Sequence, residues 1–406
     1  MAIPLLTAGF VAYVLASRAA LRLLRGVFRE AVMASLNLAG VFGFLFYGHG
    51  VNGAPRFVIY VFLVSFYYLF FYLFSGAKGW LHWLAFFSPI GGLVLVRYVP
   101  INFYQALGVA RGHHFTGPLS LIGLSYLAFR CSRLALEVRN ESVARPGFWQ
   151  YFTFAFFLPT MPVGPINTYA NFRRGFETPG VDFPLGRSAV RVMVGLIKYE
   201  FLGGVLSRLG YSHFLLNSHL HDRIDLPVVM IFYYLFLYCN FSGCCDIAIG
   251  TAGLIGLPVP ENFNNPFVAR NIKDFWNRWH ITLSQWMRDI VFSPLSKFLV
   301  RLMGPANANH AIALAIIVVF LLVGIWHGVG WNYALFGLIH ALGLVTSHYY
   351  TIGLKQWLGR EGFKAYNENC WIHAAAVALT FAYCAASFLF FANTLPQIKE
   401  IFETLR

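Results

Sequence analysis

Long apolar runs, parted by short polar breaks, dominate the chain. They fall at about 31–47, 57–75, 80–98, 118–137, 148–163, 189–207, 227–256, 309–325, 333–350 and 372–391, and a further run opens the N-terminus. A helix of about 20 apolar residues crosses the ~30 Å hydrocarbon core of a bilayer. The pattern therefore predicts an all-α polytopic integral membrane protein with about eleven helices. Several runs contain Gly or Pro, which membrane helices tolerate where neighbours satisfy the freed backbone groups. With no internal repeat, low-complexity tract or long linker, residues 1–406 read as a single membrane domain. In the opening segment, MAIPLLTAGFVAYVLASRAALRLLRG, Arg18, Arg22 and Arg25 follow the apolar residues, with Arg29 just beyond. That order predicts a retained and partly inserted first helix, not a cleaved signal peptide, with its N-terminus outside.

Residues 257–301 break the pattern, being rich in charge and indole without a clean apolar span. Arg270, Lys273, Arg278, Arg288, Lys297 and Arg301 outnumber Asp274 and Asp289, which predicts a cytoplasmic location. The loop 212–225, with Arg223 as its one Lys or Arg, is expected outside. Asn271 is positioned to cap a helix from Ile272 onward, and Asp274 suits the positive end of its dipole. Phe275, Trp276, Trp279 and Trp286 are too much aromatic surface for a solvated loop, so an interfacial or re-entrant helix is expected. The longest polar stretches elsewhere, 99–117 and 351–371, read as loops too small to fold alone.

Composition agrees with this reading. Hydrophobic residues make up 58%, aromatic 18% and charged only 11% of the chain, where a soluble protein carries about a quarter charged. The net charge of +14 is spread in short clusters between apolar runs, as topology requires, and forms no platform for nucleic acid. Cys131, Cys239, Cys244, Cys245, Cys370 and Cys384 show neither a CxxC pair nor metal-ligand spacing, so no disulfide framework or metal site is expected.

Thirteen histidines are candidates for chemistry. His49, His113, His114, His213, His219 and His221 lie in polar loops, and His82, His310, His348 and His373 near helix ends, where structural or solvated roles are the default. His327 differs, because it sits between two apolar helices among Gly324, Gly328 and Gly330 and beside Trp326 and Trp331. Polar groups at membrane depth are costly and tend to mark function. Glycines let backbone approach a substrate, and a neutral imidazole can take a proton from a hydroxyl. Either that role or a hydrogen-bonded structural one is compatible with the residues alone. Arg278 and Arg288, ten residues apart, fall on one face if a single helix carries both. They either serve donor phosphates or supply ordinary cytoplasmic charge paired with Asp274 and Asp289. Asp246 is expected to pair with an arginine.

Six stretches carry a family resemblance: PTMPVGPI (159–166), GLIKYEF (195–201), YCNFSGCCDIAIG (238–250), PENFNNPF (260–267), FWNRWHITLSQWMRD (275–289) and GIWHGVGWNYALFGLIH (324–340). In content and order they resemble the membrane-bound O-acyltransferase family, in particular the bacterial branch with the alginate O-acetylase and the teichoic-acid D-alanyl transferase. The resemblance covers roughly residues 118–348. It implies a ring of tilted helices around a central tunnel, with His327 as catalytic base and His280 as a second functional histidine. It also places Trp279 and Asn240, with Arg278 and Arg288, near the donor or the tunnel.

The implied reaction moves an acyl group, acetyl in the first instance, from a cytoplasmic thioester to hydroxyls of an extracytoplasmic polysaccharide or cell-envelope glycan. The co-substrate is acetyl-CoA or a phosphopantetheinyl carrier protein, with no tightly bound cofactor and no metal. Expected partners are that donor, membrane lipid and an extracytoplasmic transferase or lipoprotein that completes delivery. Asn240 and Cys244 stand where polysaccharide acetylases have Asp and Tyr, and RDIVFSPLSKFL replaces their Arg-Asp, Pro-Leu-Gly-Gly-Asn-Arg continuation. NIKDFWNRWH is similar to the D-alanyl branch, which keeps D-alanyl transfer from a carrier protein open. Acylation of a lipid, small molecule or protein is a further alternative. A transporter is the alternative from another class, since buried histidines and interrupted helices also build transport pathways.

Overall fold

In lipid every backbone N–H and C=O must find a partner, and a helix pairs them within one segment. The computed structural model describes residues 8–50, 53–98, 123–178, 184–216 and 220–405, and among these it is nearly all helical with no strands. Among the described residues, five helices are long and apolar enough to cross a membrane: Gly26–Tyr47, Gly53–Phe74, Asp225–Ile255, Pro305–His327 and Cys370–Ala392. The stretch 99–117, His113, His114 and residues 217–219 of the loop 212–225 lie outside the described residues.

Several of the other apolar runs fold as shorter pieces. The run 148–163 gives only the helix Phe148–Ala155 and a single turn at Leu158–Thr160, because Pro159, Pro162 and Pro165 cannot donate to a helical ladder. The run 189–207 becomes Leu185–Leu196, a wider turn at Ile197–Leu202 and Gly203–Ser207. The expected loop 351–371 is instead helical. It continues Trp331–Glu368 past a break at Gly359, with Lys364 and Glu368 paired one turn apart, before Asn369 caps Cys370–Ala392.

Two compact units are distinguished: Met1–Ile197 with Gly243–Glu261, and Lys198–Ser242 with Asn262–Arg406. The first holds a buried irregular segment after Ala155. A buried loop needs partners for its carbonyls, and Arg130 supplies them: its guanidinium donates to Phe154 O at 2.7 Å, Thr160 O at 3.1 Å and Thr160 Oγ1 at 2.9 Å. The same unit pairs Arg173 with Glu30, which also accepts from Gln150 at 2.9 Å.

The second unit is built on aromatic packing. Tyr234, Phe275, Trp276, Trp279, Phe336 and Phe388 form its core with Cys384 and Ala385. Helices Ala308–His327 and Trp331–Glu368 pack backbone to backbone where Gly324 meets Gly337. A Cβ on Gly324 would lie 2.3 Å from Tyr333 O, and one on Gly337 would lie 2.3 Å from Phe320 O. Small residues let membrane helices approach in this way, through van der Waals contact instead of exclusion of water.

Candidate functional site

Within residues 271–287 lie two short helices of seven residues each, about two turns apiece. Asn271 Oδ1 accepts the Asp274 N–H at 2.9 Å, so the helix begins at Ile272 as its capping pattern requires. It ends at Arg278, because Trp279 is extended and His280 takes a left-handed conformation with φ 45° before Ile281–Met287. A non-glycine residue there costs about 1–2 kcal/mol per residue, so surrounding contacts hold His280 in place. Lys273 lies within electrostatic reach of His348, Trp276 packs on His340, and His280 neighbours Trp326. Ile272–Arg278 therefore lies along Trp331–Glu368 in the antiparallel sense, and His280 reaches the end of Ala308–His327.

His327 is the last residue of the helix Ala308–His327. Gly328 is extended, and a Cβ there would come 2.1 Å from the Tyr333 ring, so any larger residue would have to displace that ring. The imidazole is half-buried and walled by rings. Trp326 lies 4.5 Å away, Phe391 4.9 Å and Phe336 5.9 Å between centroids. The carbonyl end of the helix favours the positive charge a histidine acquires on taking a proton.

Trp326 also stands 6.3 Å from the ring of His280, so one indole neighbours both imidazoles. His280 is 3% exposed, packed edge-on by Phe241 at 4.7 Å, with Nδ1 3.3 Å from Asn262 Oδ1. Burial, and then the charge of nearby His327, push its pKa down to about 3, so the ring is neutral at physiological pH.

His340 is committed elsewhere. A Trp N–H only donates, so Trp276 Nε1 at 3.3 Å makes His340 Nδ1 an acceptor. Its Nε2–H then donates to Ser387 Oγ at 2.9 Å, and that hydroxyl donates to Cys384 O. Both nitrogens bind protein, which is a structural arrangement.

The remaining candidates separate. Arg278 and Arg288 do not share a helix face, since the chain breaks at Trp279 and His280 between them. Arg278 pairs with Asp274 at 2.9 Å, while exposed Arg288 donates to Asn277 Oδ1 at 2.8 Å, next to Arg278 in the chain. Trp279 is buried in the aromatic core against Phe263, Phe275 and Phe388. Asn240 is half-buried on Asp225–Ile255, one residue before the Phe241 that packs on His280. In the other unit, Asp246 accepts from Arg191 Nε at 3.0 Å, and Arg191 also binds Glu261. Sequence reasoning missed Asn262, Thr282, Phe241 and Arg130. PENFNNPF offers three asparagines with nothing to separate them, and Arg130 is one of two arginines inside the apolar run 118–137 with nothing in the sequence to name its acceptors.

These features define a helical membrane protein that gathers two imidazoles about one indole. Residues 119–367 match the membrane-bound O-acyltransferase family, and the chain belongs to it, so the protein is a membrane acyltransferase. It is similar to the teichoic acid D-alanyltransferase of Streptococcus thermophilus, 31% identical over 79% of this chain and 77% of that one. It is also similar to the peptidoglycan O-acetyltransferase of Helicobacter pylori, 30% identical over 52% of this chain and 39% of the other. A probable alginate O-acetylase of Pseudomonas aeruginosa is 29% identical over 55% of this chain and 42% of that one.

Proposed function

We propose that this acyltransferase moves an acyl group from a cytoplasmic thioester to hydroxyls of an extracytoplasmic cell-envelope glycan in a bacterial cytoplasmic membrane, with His327 as general base. The observation that carries the base assignment is the placement of half-buried His327 beside Trp326, whose ring also neighbours His280. His327 takes the hydroxyl proton as the oxygen attacks the thioester carbonyl. The new C–O bond forms, the C–S bond breaks, and the leaving thiolate takes a proton back from the imidazolium. A thioester is reactive enough that proton transfer and alignment of the two substrates supply most of what the step needs. His280 orients the donor, and the positive charge at Arg278 and Arg288 suits donor phosphates.

D-alanyl transfer from a carrier protein is the first reading of the donor, because similarity to the Streptococcus thermophilus D-alanyltransferase runs over more than three quarters of both chains. Acetyl transfer is the second, favoured by the two O-acetylating relatives. An extracytoplasmic partner that receives the acyl group completes either route. The test is the purified protein in liposomes, with labelled D-alanyl carrier protein or labelled acetyl-CoA inside and glycan outside, with and without His327→Ala. Label reaching hydroxyls only with the D-alanyl donor supports the first reading. Transport of substrate without any acyl transfer would overturn the enzymatic reading of this site.

A further inference from the structure

Asn262 presents its side-chain oxygen to one nitrogen of His280. Its Oδ1 accepts the backbone N–H of Thr282 at 3.1 Å and the Thr282 hydroxyl at 2.7 Å. A backbone N–H only donates, so the side-chain atom facing it is the amide oxygen. That same oxygen stands 3.3 Å from His280 Nδ1. An acceptor opposite Nδ1 places the proton on Nδ1 and the ring's lone pair on Nε2.

The local backbone makes this arrangement specific. The Ile281 N–H donates to Asn262 O at 3.0 Å, so residue 262 is tied to Ile281 through its carbonyl and to Thr282 through its side chain. His280 holds φ 45°, which turns its ring toward Asn262 instead of continuing the helix Ile272–Arg278. Phe241, packed edge-on at 4.7 Å, limits rotation of the imidazole. His340, in the same unit, carries its proton on the other nitrogen because Trp276 donates to its Nδ1. Two buried imidazoles are thus set to opposite tautomers by their neighbours.

We propose that Asn262 is a positioning residue that locks His280 as its Nδ1–H tautomer, so that His280 meets the acyl donor as a hydrogen-bond acceptor through Nε2. This rests on the thioester reading above. The pantetheine arm of a CoA or carrier-protein thioester carries amide N–H groups close to its sulfur, and an imidazole lone pair is their natural partner. His280 in this form does not donate to the developing oxyanion from Nε2, so its contribution is to hold the donor arm while His327 handles the proton.

The experiment uses the full chain, labelled with ¹⁵N-histidine and placed in lipid nanodiscs, with the His280 signal assigned by its loss in His280→Gln. The expected wild-type spectrum shows a protonated Nδ1 and a bare Nε2. Asn262→Asp keeps an acceptor in place and keeps that tautomer. Asn262→Leu loses the tautomer preference and raises KM for the thioester donor at least ten-fold, with a smaller change in kcat. A wild-type proton on Nε2 overturns the proposal, as does Asn262→Leu with an unchanged tautomer and KM. Should Asn262→Leu not fold, the spectra of wild type and Asn262→Asp decide: Nδ1–H in both supports the lock, and Nε2–H in either refutes it. A protein that keeps the tautomer but consumes no thioester would refute acyl transfer instead, which keeps the two failures distinct.

Discussion

Gly324 and Gly337 touch across neighbouring helices so closely that a Cβ on Gly324 would lie 3.3 Å from the Cα of Gly337. That contact sets the register of Ala308–His327 against Trp331–Glu368 and so fixes where His327 ends its helix.

Gly324→Ala therefore forces the helices apart at a site with backbone on the far side and no flexible side chain to yield. Overpacking of this kind costs about 1–3 kcal/mol, and acyl transfer should fall at least ten-fold as His327 moves. Gly353→Ala, on the same second helix with nothing within 4 Å of its Cβ, should leave both unchanged. Thermal unfolding in detergent with parallel turnover measurements checks the pair.

His327→Ala and His340→Ala should separate chemistry from structure. The first removes the proposed base and should lower transfer by about 10²–10⁴-fold with the unfolding temperature nearly kept. The second empties a site packed by Phe275, Trp276 and Phe336 and strands the Trp276 N–H. It should cost about 2–4 kcal/mol of stability. Equal unfolding temperatures for the two variants would contradict this division.

Arg130→Ala should be among the most damaging changes in the first unit. It leaves carbonyls of a buried segment without donors, at about 1–3 kcal/mol for each group stranded. Sharply reduced yield of folded protein is expected, with Arg130→Lys recovering only part, because an ammonium cannot reproduce the planar fork. Size-exclusion profiles report the outcome.

Acid should destabilise the protein through His280. Its folded-state pKa of about 3 lies below the ordinary value of about 6.5, so below pH 6.5 the unfolded state binds a proton that the folded state refuses. Stability is full above about pH 6.5 and declines as pH falls toward 3, by at most about 1.4 kcal/mol per pH unit from this group. His280→Gln should flatten that slope between pH 6.5 and 4.5 in denaturation experiments.

Charge predicts sidedness. In a Cys370→Ser background, which removes an exposed thiol, Lys297→Cys should react with impermeant reagent only from the cytoplasmic side and Asp222→Cys only from outside. Reversed labelling would invert the orientation inferred from the lysines and arginines of 270–301.

The sequence alone determined that the chain is helical and membrane-embedded, because apolar run length and the need to pair every backbone group in lipid leave no other economical fold. It also gave the Asn271 cap, since a cap is local chemistry within four residues, and it marked His280 and His327 through motifs that survive without knowledge of contacts. It did not foresee that prolines would shorten the run after Ala155, because a continuous apolar stretch hides the missing backbone donors. Only the tertiary structure decided what each imidazole can do. His327 and His280 are 47 residues apart in the chain, and one indole brings them together. His340, with a similar apolar setting in sequence, is occupied on both nitrogens by Trp276 and Ser387, and His280 takes its proton position from Asn262. The tautomer of a histidine depends on which donor or acceptor lies across a few ångströms of space, and that neighbour is set by packing between distant segments, which hydropathy and spacing do not encode.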